Sequence, residues 1–235
     1  MRKNILETIS DYSSRMEGYG MLLCYKYMNL CVKAEPVALL PVTVSYDGST
    51  YDFEKVAKVT ITDWNKMEVF ADDTDMNLSI QQGILLAHPE FKQEKHAYEY
   101  KSEDVTPDEN DYSIILTMPE VNDDRYDLLV NGVKGLYEEC SLLFDKLVIK
   151  CTNELTKNLS DPDEIKQAKD LLQQHYDNQK VRITQYRDDK LKEIEEAHDK
   201  YLLTHAEEVK KAQEKHDAEN LDVTTTFNPD SSVND

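Results

Sequence analysis

One apolar stripe constrains this chain more than any other feature. In the stretch Arg125–Asn158, RYDLLVNGVKGLYEECSLLFDKLVIKCTNELTKN, residues Leu129, Val133, Leu136, Cys140, Leu143, Leu147 and Cys151 recur at alternating steps of four and three. That spacing draws a single apolar line along a long helix, the pattern of a bundle or coiled-coil seam. Asn122 or Asp123 can cap its start, and Asp123 and Asp124 suit the positive end of the helix dipole. Between Leu142 and Ile149 the stripe widens, because Phe144, Val148 and Ile149 add a second flank. A face so broad has to be covered from more than one side.

Two other stretches carry matching stripes. Residues 3–33 place Ile5, Ile9, Tyr12, Met16, Tyr19, Leu23, Tyr27 and Leu30 on one line, and Pro36 stops the helix by pushing Glu35 toward extended geometry. A third helix opens at Ser160-Asp161-Pro162-Asp163-Glu164, with Asp161 as cap, Pro162 first in the helix and Glu164 at the third position. Its stripe runs through Ile165, Ala168, Leu172, Tyr176, Ile183, Tyr186, Ile194, Ala197 and Tyr201, then thinly through Val209 and Ala212. Residues 162–219 would reach about 87 Å as one helix.

Between the first two helices the period changes to two. Leu40, Val42 and Val44 alternate with polar neighbours, Tyr46-Asp47-Gly48-Ser49 makes a turn, and Val59, Ile61 and Trp64 lead to a short strand at Met67–Phe70. Leu78–Ala87 reads as a short helix, Pro89–Asp111 as an extended surface loop, and Tyr112–Met118 as a strand closed by Pro119. The expected fold class is therefore α+β, a three-helix bundle with a small inserted α/β domain of β-α-β type. Its parts are 1–34 as bundle helix 1, 37–118 as the insert, 121–195 as bundle helices 2 and 3, 196–220 as a helical extension, and 221–235 as an acidic tail expected to be disordered.

Composition excludes several functions. The net charge of -20, from 47 acidic against 27 basic side chains, argues against DNA and requires any RNA contact to come from local basic patches. No apolar run approaches the roughly 18 residues of a membrane span. The opening MRKNILETISDYSSRM contains Glu7 and Asp11 and makes a poor transit peptide and no signal peptide, so an organellar address would have been removed or would lie outside this chain. The four cysteines, Cys24, Cys31, Cys140 and Cys151, form no C-x-x-C pair and read as reduced core residues. Asp73, Asp75 and Asn77 imitate the start of a calcium loop, but Leu78 stands where glycine is required and Ile84 where the bidentate Glu belongs. His175, His198, His205 and His216 read as solvated helix residues. No nucleotide, hydrolase or metalloprotease motif appears, so no enzyme, cofactor or metal is expected.

The order "long helix, inserted α/β unit, two long helices" resembles the ribosome-recycling factor family. In Ala34–Gly48, AEPVALLPVTVSYDG, the residues Ala34, Pro36, Leu39, Val44, Tyr46 and Gly48 fit the family's hinge, strand and turn. The segment Met118–Arg125 resembles its second hinge, and Gly135, the SDPDE cap and Asp189-Lys190 also fit, so the resemblance covers about residues 5–195. It implies an L-shaped, tRNA-like protein that enters the post-termination ribosome, grips rRNA and proteins of the large subunit, and splits the subunits with a translocation GTPase. Hinges would lie at Glu35-Pro36 and Met118-Pro119, and neither membrane nor DNA is a partner. A mitochondrion or plastid is the expected location, or the cytoplasm if the source is bacterial.

The family's rRNA-binding arginines are largely missing. Where it has Arg-Thr-Gly-Arg before the first hinge, this chain has Leu30-Cys31-Val32-Lys33. The Arg-x-x-Arg-Arg-Asp positions of the middle helix are Asp145, Val148, Ile149 and Lys150. Lys33, Lys146, Lys150 and Arg125 are then the candidate rRNA contacts. The alternative is a repurposed, ribosome-associated or assembly protein that binds protein instead of rRNA through Leu143, Phe144, Val148 and Ile149. The same four residues could equally be bundle core.

Overall fold

A computed structural model describes residues 3–98 and 109–224, with side chains to residue 215. It contains the helices α1 (Lys3–Met28), α2 (Asn77–Ala87), α3 (Asp123–Asn158) and α4 (Pro162–Thr224), and the strands β1 (Thr43–Tyr46), β2 (Ser49–Asp52), β3 (Ala57–Asp63), β4 (Lys66–Ala71), β5 (Lys92–Ala97) and β6 (Tyr112–Thr117).

Helices α1, α3 and α4 close one core. Ile5, Ile9, Met16, Leu23 and Tyr27 of α1 meet Leu129, Val133, Cys140, Phe144, Leu147 and Cys151 of α3, and Ala168, Leu172, Ile183, Ile194 and Ala197 of α4. The stripe on α3 is thus covered from two sides, as its width requires. Leu136 and Leu143 sit at its half-buried edge. Asn122 supplies the cap, its Oδ1 accepting from the Arg125 amide at 3.0 Å, and Asp161 does the same for Asp163 at the start of α4. Helix α1 stops at Met28, short of the expected residue 33. Beyond it the chain turns so that Val32 packs into the bundle and Cys31 into the α/β core.

The inserted body has its own core, built from Leu39, Val42, Val44, Met67, Val69, Ile80, Ile84, Ile114 and Leu116. Its main sheet has the antiparallel order β3-β4-β6-β5. Strands β4 and β5 both oppose β6, so they run parallel to each other with α2 between them in the chain, a split β-α-β unit. Strands β1 and β2 form a separate hairpin whose turn residues Asp47 and Gly48 have φ of 47° and 72°, the left-handed pair that a two-residue hairpin loop demands. Helix α2 lies so close to β1 that a Cβ on Gly83 would stand 2.5 Å from the Thr43 carbonyl oxygen.

Three expectations are corrected here. Pro36–Leu39 is a 3-10 turn, which shifts the strand to Thr43–Tyr46 and buries Leu39 while Leu40 stays exposed. Residues 92–97, expected as loop, form edge strand β5 against β6; its Lys, Gln, Glu and His side chains carry no apolar period because little of either face is buried. Residues 99–108 of the expected loop lie outside the described residues. The decoy acids are structural: Asp73 caps a 3-10 turn, and the Asn77 side chain donates to the carbonyls of Asn110 and Tyr112. Helix α4 runs past the expected 220 to Thr224, and 225–235 lie outside the described residues.

Candidate functional site

The chain crosses between the two bodies twice, at residues 29–35 and 118–122, and the residues there form one hydrogen-bonded junction. Pro36 opens the 3-10 turn and Glu35 precedes it in extended conformation, as the proline dictates. The Ala34 amide donates to Trp64 O at 2.8 Å, and the buried Met118 amide donates to Asn65 O at 2.9 Å. Both crossings therefore hang on the β3–β4 turn.

Arg125 ties them together from the bundle side. Its Nη1 donates to the carbonyls of Pro119 and Glu120, and its Nη2 donates to Cys31 O at 2.8 Å. Desolvation lowers its pKa, yet an arginine stays charged. Arg125, expected as an rRNA contact, directs both terminal nitrogens to linker carbonyls. Lys33 is similarly engaged, 2.9 Å from Glu35 and 3.7 Å from Glu193. Burial works against its charge, but the hydrogen bond to Glu35 and the field of Glu193 outweigh this and raise its pKa.

The middle of α3 presents a different surface. Phe144 is fully buried, edge-on to Tyr176 at 6.5 Å, so it is core and not a partner contact. Val148 is half-buried against the same core, and Leu143 is half-buried at the α1–α3 groove. Ile149 stands 60% exposed and Leu142 59% exposed, beside the exposed Lys146 and Lys150. No ion pair among the described residues engages either lysine. Asp145 accepts a 2.7 Å hydrogen bond from the Tyr176 hydroxyl, whose pKa burial and this acceptor push up to about 12.

Sequence reasoning missed a neighbouring cluster on α4. Lys180 lies 5.4 Å from the Tyr137 ring centroid and 5.7 Å from that of Tyr176, and the Arg187 guanidinium lies 4.6 Å from that of Tyr137. The steps Tyr176–Lys180 and Lys180–Arg187, four and seven residues, were a legible signal of one helix face. His198 was also misread as solvated: it stacks on Tyr126 at 4.5 Å and lies 2.9 Å from Asp123. Beyond it, Lys200 Nζ sits 3.4 Å from the centroid of the Trp64 ring, so α4 touches the inserted body at this point. The surface can thus offer ammonium groups to phosphate or isolated aliphatic side chains to protein, and the junction can hold or release an angle between two bodies.

Comparison with known proteins agrees with this architecture. A family model described as ribosome recycling factor matches residues 26–194. A solution structure of the ribosome recycling factor has a TM-score of 0.68 at 16% identity, covering 83% of this chain and 100% of that one. A second match comes from models of the T. thermophilus ribosome recycling factor and the E. coli elongation factor G bound to the E. coli post-termination complex. It has a TM-score of 0.53 at 23% identity and covers 81% of this chain and 98% of that one. At such identities the likeness shows the fold. No curated protein matches the chain.

Proposed function

The chain belongs to the ribosome recycling factor family, and from that premise we propose that it binds the large ribosomal subunit and helps a translocation GTPase split post-termination ribosomes. The family match carries this reading, because it runs through both crossings, the whole inserted body and all of α3. The factor is read as non-enzymatic: it offers a rigid bundle for docking and a second body that a GTPase can push. The related factor and elongation factor G are both described as bound to the post-termination complex, which supports a partner of that kind. Motion would occur about Glu35-Pro36 and Met118-Pro119, limited by Arg125 and the Trp64–Asn65 turn.

For rRNA contact the reading now rests on Lys146 and Lys150. Lys33 and Arg125 are assigned to the junction instead. The acid and aliphatics at Asp145, Val148 and Ile149 point to a docking surface that differs from the one the family's arginines meet, which favours an organellar ribosome, mitochondrial or plastid. A second reading, protein contact in place of rRNA, has its own support in the exposure of Leu142 and Ile149 beside those lysines.

Sedimentation with isolated large subunits at several salt concentrations separates the two. Changing Lys146 and Lys150 together to Ala should weaken binding and reduce the salt slope by about two. If Ile149→Asp abolishes binding while the double lysine variant leaves the slope unchanged, the contact is with protein.

A further inference from the structure

Three electron-rich side-chain atoms converge at the first crossing although the chain gives no hint of it by spacing. Cys31 Sγ, a ring nitrogen of His88 and a carboxylate oxygen of Glu90 lie within 4.8 Å of one another, and Nδ1 is the ring nitrogen that faces Glu90. Cys31 belongs to the crossing from α1, whereas His88 and Glu90 follow α2 in the inserted body. Cys31 and His88 are buried, and Glu90 opens the cluster to solvent.

The His88 ring is held in a defined way. Its Nε2 lies 2.7 Å from the Ala38 carbonyl oxygen, which can only accept, so Nε2 carries the proton. The ring also stacks on Phe91 at 4.5 Å with planes 6° apart. In the neutral imidazole, Nδ1 is then a bare lone pair, aimed at a Glu90 oxygen 3.2 Å away. Two acceptors facing each other repel unless a proton or a metal cation lies between them. A backbone carbonyl fixing the tautomer so that the other nitrogen is free is the usual support of a metal-bound histidine.

We propose that Cys31 Sγ, His88 Nδ1 and Glu90 form a site for a thiophilic divalent cation of the zinc class, with the fourth position open on the Glu90 side. The mixed S, N, O donor set favours such an ion over magnesium or calcium. On binding, the Cys31 S–H bond breaks, its proton passes to solvent, and the sulfur lone pair bonds the metal with no change of oxidation state. The thiol gives up weak contacts to the Met28 and Asn29 carbonyls at 3.9 and 3.6 Å. Thiolate and carboxylate together cancel the charge of the dication. Nearby Lys190 is paired with Glu193, and Arg125 is committed to carbonyls. Such an ion would clip the first crossing to the inserted body and stiffen the junction.

The test uses full-length protein, reduced with a phosphine, stripped with a chelator and titrated with Co²⁺ as the probe. One equivalent should bind with a thiolate-to-cobalt charge-transfer band and tetrahedral ligand-field bands, and Zn²⁺ should displace it. Cys31→Ser should remove the charge-transfer band while Cys24→Ser, a half-buried cysteine outside the cluster, leaves it. Glu90→Gln keeps the fold because Glu90 is exposed, and it should weaken binding by at least about tenfold. No band at millimolar Co²⁺, a band that survives Cys31→Ser, or unchanged affinity in Glu90→Gln would overturn the proposal.

Discussion

Arg125 shows how far a single side chain can bear on two linkers at once. Its guanidinium fork reaches carbonyls of both crossings, a geometry that a lysine ammonium does not reproduce. Arg125→Gln should cost about 2–3 kcal/mol in chemical denaturation, the worth of charge-assisted hydrogen bonds to half-buried acceptors. A loss under about 0.5 kcal/mol would show that the fork does not hold the linkers. On α3, Phe144→Ala should cost about 3–5 kcal/mol as a core truncation, while Ile149→Ala should stay within about 0.5 kcal/mol. Cysteine chemistry should follow burial: in chelator, alkylation at pH 8 should reach half-buried Cys24 first. Burial pushes the thiols of Cys31, Cys140 and Cys151 up to about 11, so little thiolate exists there to react. Peptide mass spectrometry with Cys24 modified last would contradict this. Phe144 was ambiguous in the sequence because an apolar residue beside a stripe looks the same whether its cover comes from its own bundle or from a partner. The junction role of Arg125 was not legible for a related reason: a basic residue at a helix start carries no mark of the carbonyls it will meet.

Among the elements, α4 departs furthest from what three bundle helices need. At about 1.5 Å per residue its 63 residues reach roughly 95 Å, and the family match ends at 194, well before the helix does. The overhang is not idle. Ala197 is buried, His198 stacks on Tyr126, and Lys200 covers Trp64. Ending the chain at Glu195 removes all three contacts and should cost about 2 kcal/mol, from one stacked pair, one cation–aromatic contact and a small buried side chain. It should also widen the distance distribution between labels at Asp47 and Lys166, exposed sites on the two bodies. An unchanged distribution would mean the overhang does not brace the inserted body. Elements were legible wherever one face is buried, as in α1, α3 and β4, because burial writes a period into the sequence, and β6 was legible as a short apolar run. Strand β5 was not, since a polar edge strand is held by backbone pairing and by polar side-chain contacts that leave no apolar period.

At the scale of the whole molecule, a three-helix bundle and a second body are joined by two short crossings. The order of elements and the two proline-bearing crossings were readable from the chain. The way the β3–β4 turn, Arg125 and α4 share the junction was not, because those contacts join residues far apart in sequence. A net charge of -20 makes general attraction to rRNA unfavourable, so the proposed docking would have to rely on a few local cations and on shape. The central claim, that this protein recycles ribosomes, is tested most directly by light scattering of post-termination ribosomes from the source compartment. Adding the protein, its cognate translocation GTPase and GTP should produce a fall in scattering as subunits separate, and neither factor alone should do so. Ribosomes that stay intact with both factors present, while the chain also fails to sediment with the large subunit, would contradict it.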